Sequence, residues 1–244
     1  MSTMSQAMID DLIALEQRID ARMDEEFPAD WIVKEDDPFM QAAAWGLDRV
    51  KDVKAVARMI SSLIGVKDPL AAISAVDGKT FTDSYVTTYG RRISAPRWMH
   101  AREAVVERLL VKPHERQHVK QHADQVKGSG WPDFTSHSVL YLAGVLAQTE
   151  DGSIYVGKVE GDGYGVSAAM ELFLTGTVTS RDTRIEQLKA HYNLGGFGPQ
   201  AAEAALRTHY RTLESGGTPN IWAARVALAV CEVHGQGLKG RVAL

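Results

Sequence analysis

The stretch Lys112-Pro113-His114-Glu115-Arg116-Gln117-His118-Val119-Lys120-Gln121 decides how the chain is read. It contains His-Glu-x-x-His, a pattern with a specific chemical mechanism attached. On a helix, residues four apart share a face, so His114 and His118 can aim two imidazoles at one point. That arrangement suits two ligands on a single Zn²⁺, with Glu115 beside them to act on a metal-bound water. A third ligand must come from elsewhere, and one coordination position must stay open for catalysis. The other reading of the same residues is an exposed, charged helix whose histidines happen to be four apart.

Around that stretch the chain has the composition of an ordinary globular protein. Its 244 residues are 45% hydrophobic and 24% charged, with a net charge of −4. That length suffices for a buried core. Arg91-Arg92 through Arg97 is too short a basic run for a nucleic-acid surface and reads as a solvated loop. No apolar run reaches membrane-spanning length, so no membrane partner is expected. The N-terminus turns acidic at Asp10-Asp11 without a basic flank or apolar signal core. A cytoplasmic or virion-associated location is expected. The single cysteine, Cys231, excludes a disulfide framework and reads as a small buried hydrophobe.

Three regions follow from the pattern: an N-terminal helical region (1–69), a metal-site region (70–176) and a C-terminal helical region (177–244), packed as one domain. Residues 5–27 read as a helix with Ile9, Leu12, Ile19, Met23 and Phe27 on its apolar side, stopped by Pro28. Its other face (Asp10, Asp20, Asp24, Glu25, Glu26) reads as solvated, or as an arm docking on a protein partner. Asp37-Pro38 opens a second helix carrying Leu47, Val50, Val53, Ala57, Ile60 and Ile64, with Trp45 in the core and Gly65 at its end. Residues 73–76, Asp77-Gly78 and 79–89 read as a hairpin closed by Gly90 and Pro96.

Met99 to Val126 is helical, either as one kinked helix or as two pieces meeting at Pro113. A loop follows over 128–133, then an apolar segment over 138–148, read as a helix in preference to a strand. Asp151-Gly152 reads as a turn and Gly161 to Gly165 as a glycine-rich opening to a helix from Val166 to Leu174. Thr183-x-x-Glu186 matches a capping box for a helix reaching Asn193. Pro199 starts the next helix, and a last apolar helix follows Pro219. The glycine-rich segment lacks the Lys-Ser/Thr of a phosphate-binding loop, no nucleophile elbow is present, and Asp36-Asp37 is too isolated for a calcium loop.

The order of His114-Glu115-x-x-His118, a loop, the apolar Tyr141-Leu142 segment, then Glu160-x-x-x-Tyr164 and Ala168-Ala169-Met170-Glu171 resembles the gluzincin side of the zincin-like metallopeptidases, over roughly residues 80–175. The resemblance implies zinc held by His114, His118 and Glu160, with Glu115 as general base. Three protein ligands would leave a fourth position for water, whose pKa the metal lowers to about 7. Tyr164, one turn beyond Glu160, is the candidate donor to the developing oxyanion. His122 and His137 are alternative ligands or supporting partners.

Lys112, Pro113 and Arg116 depart from the apolar residues usual in such helices, and the glycines around Tyr164 depart from helix formers. The expected fold is α+β, mostly helical and zincin-like, with a small sheet near residues 70–95 against the motif helix. The expected function is a zinc-dependent peptidase acting on a peptide or protein. The alternatives are a structural or assembly protein, such as a virion component, keeping the zincin frame without turnover, and a metal-free helical interaction module.

Overall fold

The computed structural model of the chain describes residues 4–46, 78–129, 150–192 and 197–242. Helix α1 (Gln6–Asp24) begins at Ser5, whose hydroxyl accepts from the Met8 N–H, and buries Leu12, Leu15, Ile19 and Met23 at helical spacing. Past Pro28 the chain extends into strand β1 (Asp30–Val33) and turns helical again over 38–46. The Asp37 carboxylate caps that turn by accepting from the Phe39 N–H. Here Met40 is buried, whereas Trp45, expected in the core, is 63% exposed. A lone aromatic carries no period of its own, and its helix face points outward. The apolar stripe from Leu47 to Ile64, the strand at 73–76, the segment at 138–148 and His137 lie outside the described residues.

The hairpin forms later in the chain than its Asp-Gly signal. Gly78–Ser84 is a short helix, α2, tied by a Lys79–Asp83 ion pair one turn apart, and not part of a strand from 79 to 89. Strand β2 is only Thr87–Tyr89, and it pairs antiparallel with β3 (Arg92–Ala95) around Gly90, whose φ of +58° makes the tight turn. β3 also pairs parallel with β1, giving the order β1-β3-β2. The run after Arg91 is therefore a central strand with Ile93, Ser94 and Ala95 buried, not a solvated loop. Among the described residues β2 is an edge.

Helix α3 (Val105–Ser129) carries the motif and runs unbroken through Pro113. Lys112 and Arg116 have partners on α1. Lys112 Nζ lies 2.6 Å from Glu16 Oε1 and 2.7 Å from Asp20 Oδ2, Arg116 pairs with Asp24 at 2.5 Å, and Arg108 pairs with Glu16 at 2.8 Å. Of the α1 face read as solvated, Asp20 and Asp24 thus engage α3, while Asp10, Glu25 and Glu26 are exposed as expected.

Helix α4 spans Glu150–Thr175, a single 26-residue helix through both the expected turn at Asp151-Gly152 and the glycine run. Its glycines are sites of close approach. A Cβ on Gly157 would stand 2.3 Å from the Gly198 carbonyl oxygen, and one on Gly161 would stand 2.7 Å from Ala205 Cβ. Helix propensity is given up so that α4 can lie against its neighbours backbone to backbone.

Helices α5 (Arg181–Tyr192), α6 (Gly198–Glu214) and α7 (Trp222–His234) complete the order, with α6 packed on α4 and α7 on α1. α5 is capped three residues before its expected cap: the Ser180 hydroxyl accepts from the Thr183 N–H. The core joins Leu12 and Ile19 of α1 to Val166, Met170 and Leu174 of α4, Leu206 of α6 and Ala227 of α7. Buried there, the Cys231 thiol is pushed up to about 12, out of nucleophile range. The described chain is mostly helical with one small sheet, and among its residues no helix is long and apolar enough to cross a membrane.

Candidate metal centre

α3 and α4 bring His114, His118 and Glu160 to one buried point. His114 Nε2 lies 3.5 Å from Glu160 Oε2, and His118 Nε2 lies 3.5 Å from Glu160 Oε1. One ligand atom from each of the three falls within 4.8 Å of the other two, and the Glu160 side chain is 1% exposed. Glu160 does not open its helix as expected. It sits at the middle of α4, where the backbone is held from both sides.

The glycines place the rings. A Cβ on Gly163 would stand 2.5 Å from His114 Nε2, so the imidazole lies in the space a side chain would fill. Tyr164 follows, its ring edge-on to His114 with centroids 5.4 Å apart, and the Arg184 guanidinium lies 5.8 Å from the Tyr164 ring centre. Burial, with the Glu160 and Glu115 charges adding to it, holds the phenol above its ordinary range, so it stays protonated.

Each imidazole has its other nitrogen occupied. His114 Nδ1 is 3.2 Å from Ser167 Oγ, and that hydroxyl donates to the Leu110 carbonyl at 3.1 Å. Its hydrogen is spent, so it accepts from Nδ1–H. His118 Nδ1 is 2.9 Å from the Gln121 carbonyl oxygen, which accepts only. In the neutral rings both Nε2 lone pairs therefore face the Glu160 carboxylate. Two lone pairs against an anion repel unless positive charge sits among them.

A proton is one such charge. Burial disfavours the His118 imidazolium, but the Glu160 carboxylate outweighs it and pushes the pKa up to about 9. Burial likewise raises the Glu160 carboxyl, while the two imidazoles hold it well below the usual carboxylate range. A metal ion is the other. Two atoms each about 2.0–2.1 Å from a tetrahedral ion stand roughly 3.4 Å apart, close to the separations found here. The donor set fits a divalent cation.

Glu115 points toward the sheet side of the site, its Oε2 accepting from the Thr88 hydroxyl of β2 at 2.6 Å. Behind β2, the fully buried Lys34 ammonium donates to the Tyr85 carbonyl at 2.9 Å and to the Thr87 hydroxyl at 2.8 Å. Burial lowers Lys34 to about 7 despite the opposing pull of Glu115. His122 is buried on the same helix but lies outside the three-residue cluster.

Thr88, Gln121, Gly163 and Ser167 carry no motif signal. Only the spacing of Gly161, Gly163 and Gly165 marks α4 in the sequence as a face needing space. Compared with known proteins, the chain matches no protein family, no curated protein and no solved structure.

Proposed function

We propose that the chain is a zinc-dependent peptidase, with His114, His118 and Glu160 as ligands and Glu115 as general base. The observation that carries the reading is the convergence of two Nε2 lone pairs and a buried carboxylate, with a second carboxylate on the residue after the first histidine. Zinc bound there would lower the pKa of water to about 7 and polarise the scissile carbonyl. Glu115 takes the water's proton on a carboxylate oxygen and later delivers it to the leaving amine. Tyr164, kept protonated by its surroundings, donates from its phenol oxygen to the developing oxyanion. Among the described residues no strand pairs with the other side of β2, which offers backbone groups to an extended peptide, and the Thr88–Glu115 hydrogen bond ties that strand to the base.

The features that favour the assembly-protein alternative are Lys112, Pro113 and Arg116 in the motif helix and the long acidic N-terminal helix. Lys112 and Arg116 answer carboxylates on α1, so packing accounts for them without a loss of chemistry. The test joins metal analysis to peptidase assay. One zinc per chain is expected, abolished in the His114→Ala/His118→Ala double variant. Glu115→Gln is expected to keep the zinc and lose cleavage of a peptide mixture. Unchanged cleavage in that variant removes Glu115 as the base, and absence of zinc from the unaltered chain removes the reading.

A further inference from the structure

A line of polar contacts leads away from His118 across α4 to α6. His118 Nδ1 meets Gln121 Oε1 at 2.9 Å, Gln121 Nε2 donates to Asp162 Oδ2 at 3.3 Å, and Asp162 Oδ1 lies 2.9 Å from His209 Nε2. His209 reaches that position because Gly165 makes room for it: a Cβ there would stand 2.6 Å from His209 Cδ2. None of Gln121, Asp162 and His209 belongs to the three-residue ligand cluster.

The central link is ambivalent by itself. An amide turned over would present its NH₂ to His118 Nδ1, the ring would shift its hydrogen to Nε2, and that nitrogen would lose the lone pair a ligand needs. Neither His118 nor Gln121 settles the choice, and in the metal-free chain the Glu160 carboxylate, 3.5 Å from Nε2, pulls the hydrogen the wrong way. An ionised carboxylate against the amide settles it, because it only accepts: it draws the NH₂ of Gln121 to itself and leaves the carbonyl oxygen for Nδ1–H.

We infer that Asp162, anchored by His209, is the positioning residue that fixes the Gln121 amide and thereby keeps the His118 Nε2 lone pair aimed at Glu160. The use of that lone pair rests on the metal reading, whereas the tautomer belongs to the metal-free chain. The carboxylate here acts one amide removed from the ligand. His114 uses a different device, the Ser167 hydroxyl spent on Leu110.

The test reads the tautomer directly. Long-range ¹H–¹⁵N spectra of the metal-free protein at about pH 10, above the His118 midpoint, report which ring nitrogen carries hydrogen. The unaltered chain is expected to hold mostly the Nδ1–H form against the pull of Glu160, and Asp162→Ala a mixture shifted toward Nε2–H. Cobalt(II) affinity by chelator competition is expected to fall about 10- to 100-fold in Asp162→Ala, the range for outer partners of a metal-ligating histidine. Adding Gln121→Glu to Asp162→Ala is expected to restore both, because a carboxylate has no wrong way round.

A merely structural Asp162 would not be rescued by that second change, and failure of the rescue overturns the inference. An unchanged tautomer in Asp162→Ala overturns it equally. Should Asp162→Ala not fold, Asp162→Asn keeps the shape while its amide can donate as well as accept, and the same mixture is expected. If the unaltered chain binds no cobalt yet the tautomer shifts, the metal reading fails and the role of Asp162 stands.

Discussion

Gly163→Ala sets two known effects against each other at the site. In an open helix the change gains about 1 kcal/mol from propensity. Here the added Cβ would stand 2.5 Å from His114 Nε2 and 2.7 Å from both Cδ2 and Cε1. Ordinary contact is about 3.5 Å or more, so something must give by roughly 1 Å. α4 cannot retreat easily, since Gly157 and Gly161 already lie against α6. The ring cannot swing freely either, because Ser167 holds Nδ1.

Overpacking of this kind costs about 1–3 kcal/mol, which leaves a net loss of about 0–2 kcal/mol in the metal-free chain. The effect on metal is larger, because ligand distances tolerate only about 0.2 Å. Losing His114 as a ligand is expected to weaken zinc binding at least about 100-fold. Urea unfolding of the metal-free protein and chelator competition for zinc measure the two quantities. Gly46→Ala, where nothing lies within 4 Å of the new Cβ, is the control. A Gly163→Ala protein that gains about 1 kcal/mol and binds zinc as tightly as the unaltered chain would refute the placement of His114 against α4.

Two further outcomes follow from the charges around α3. Lys112→Met leaves Asp20 facing a lost partner and is expected to cost about 2–4 kcal/mol by urea unfolding. Adding Asp20→Leu is expected to recover most of that, because Glu16 keeps Arg108; simple additivity of the two losses refutes the pairing. In metal-free protein, the stability advantage of the unaltered chain over Glu160→Gln is expected to peak between pH 4.5 and 6.5. The raised His118 pKa gives stability fully present below 6.5 and lost as pH rises through about 9; the depressed Glu160 pKa gives stability present above 4.5 and lost as pH falls. The advantage amounts to at most about 3 kcal/mol, and an advantage flat from about pH 6 to pH 10 contradicts the assigned pair.

The motif helix and the α1 stripe were legible because each rests on a single periodicity. Glu160 was legible only through the order of segments. Helix α4 itself was misread at the glycines, and for a physical reason. Local propensity counts five glycines between Gly152 and Gly165 against a helix, whereas the packing of α4 on α3 and α6 requires the absence of side chains at Gly157, Gly161, Gly163 and Gly165. On the acidic face of α1, Asp10, Glu25 and Glu26 are exposed as expected, but the engagement of Asp20 and Asp24 with α3 was not legible. A row of carboxylates on one helix face looks the same whether it meets water or the Lys112, Arg116 and Arg108 of another helix some ninety residues on. Pairings at that sequence distance leave no local trace.

The buried charge of the site ties these elements together. Glu115 and Glu160 bring two carboxylates into a region where both histidines are directed by Ser167 and Gln121 to offer lone pairs and not hydrogens. With neutral rings the cluster holds two negative charges out of water, which is costly without compensation. The His118 imidazolium compensates one, and does so by protonating the nitrogen a ligand needs. Lys34 lies behind β2 with its ammonium already committed to Tyr85 and Thr87, and burial weakens its hold on a proton. Lys112 and Arg116 are turned the other way, onto α1. A single divalent cation would balance both carboxylates while leaving each Nδ1–H where its partner requires it. The hydrogen-bond directions and the charge balance thus both suit the cation proposed for the site.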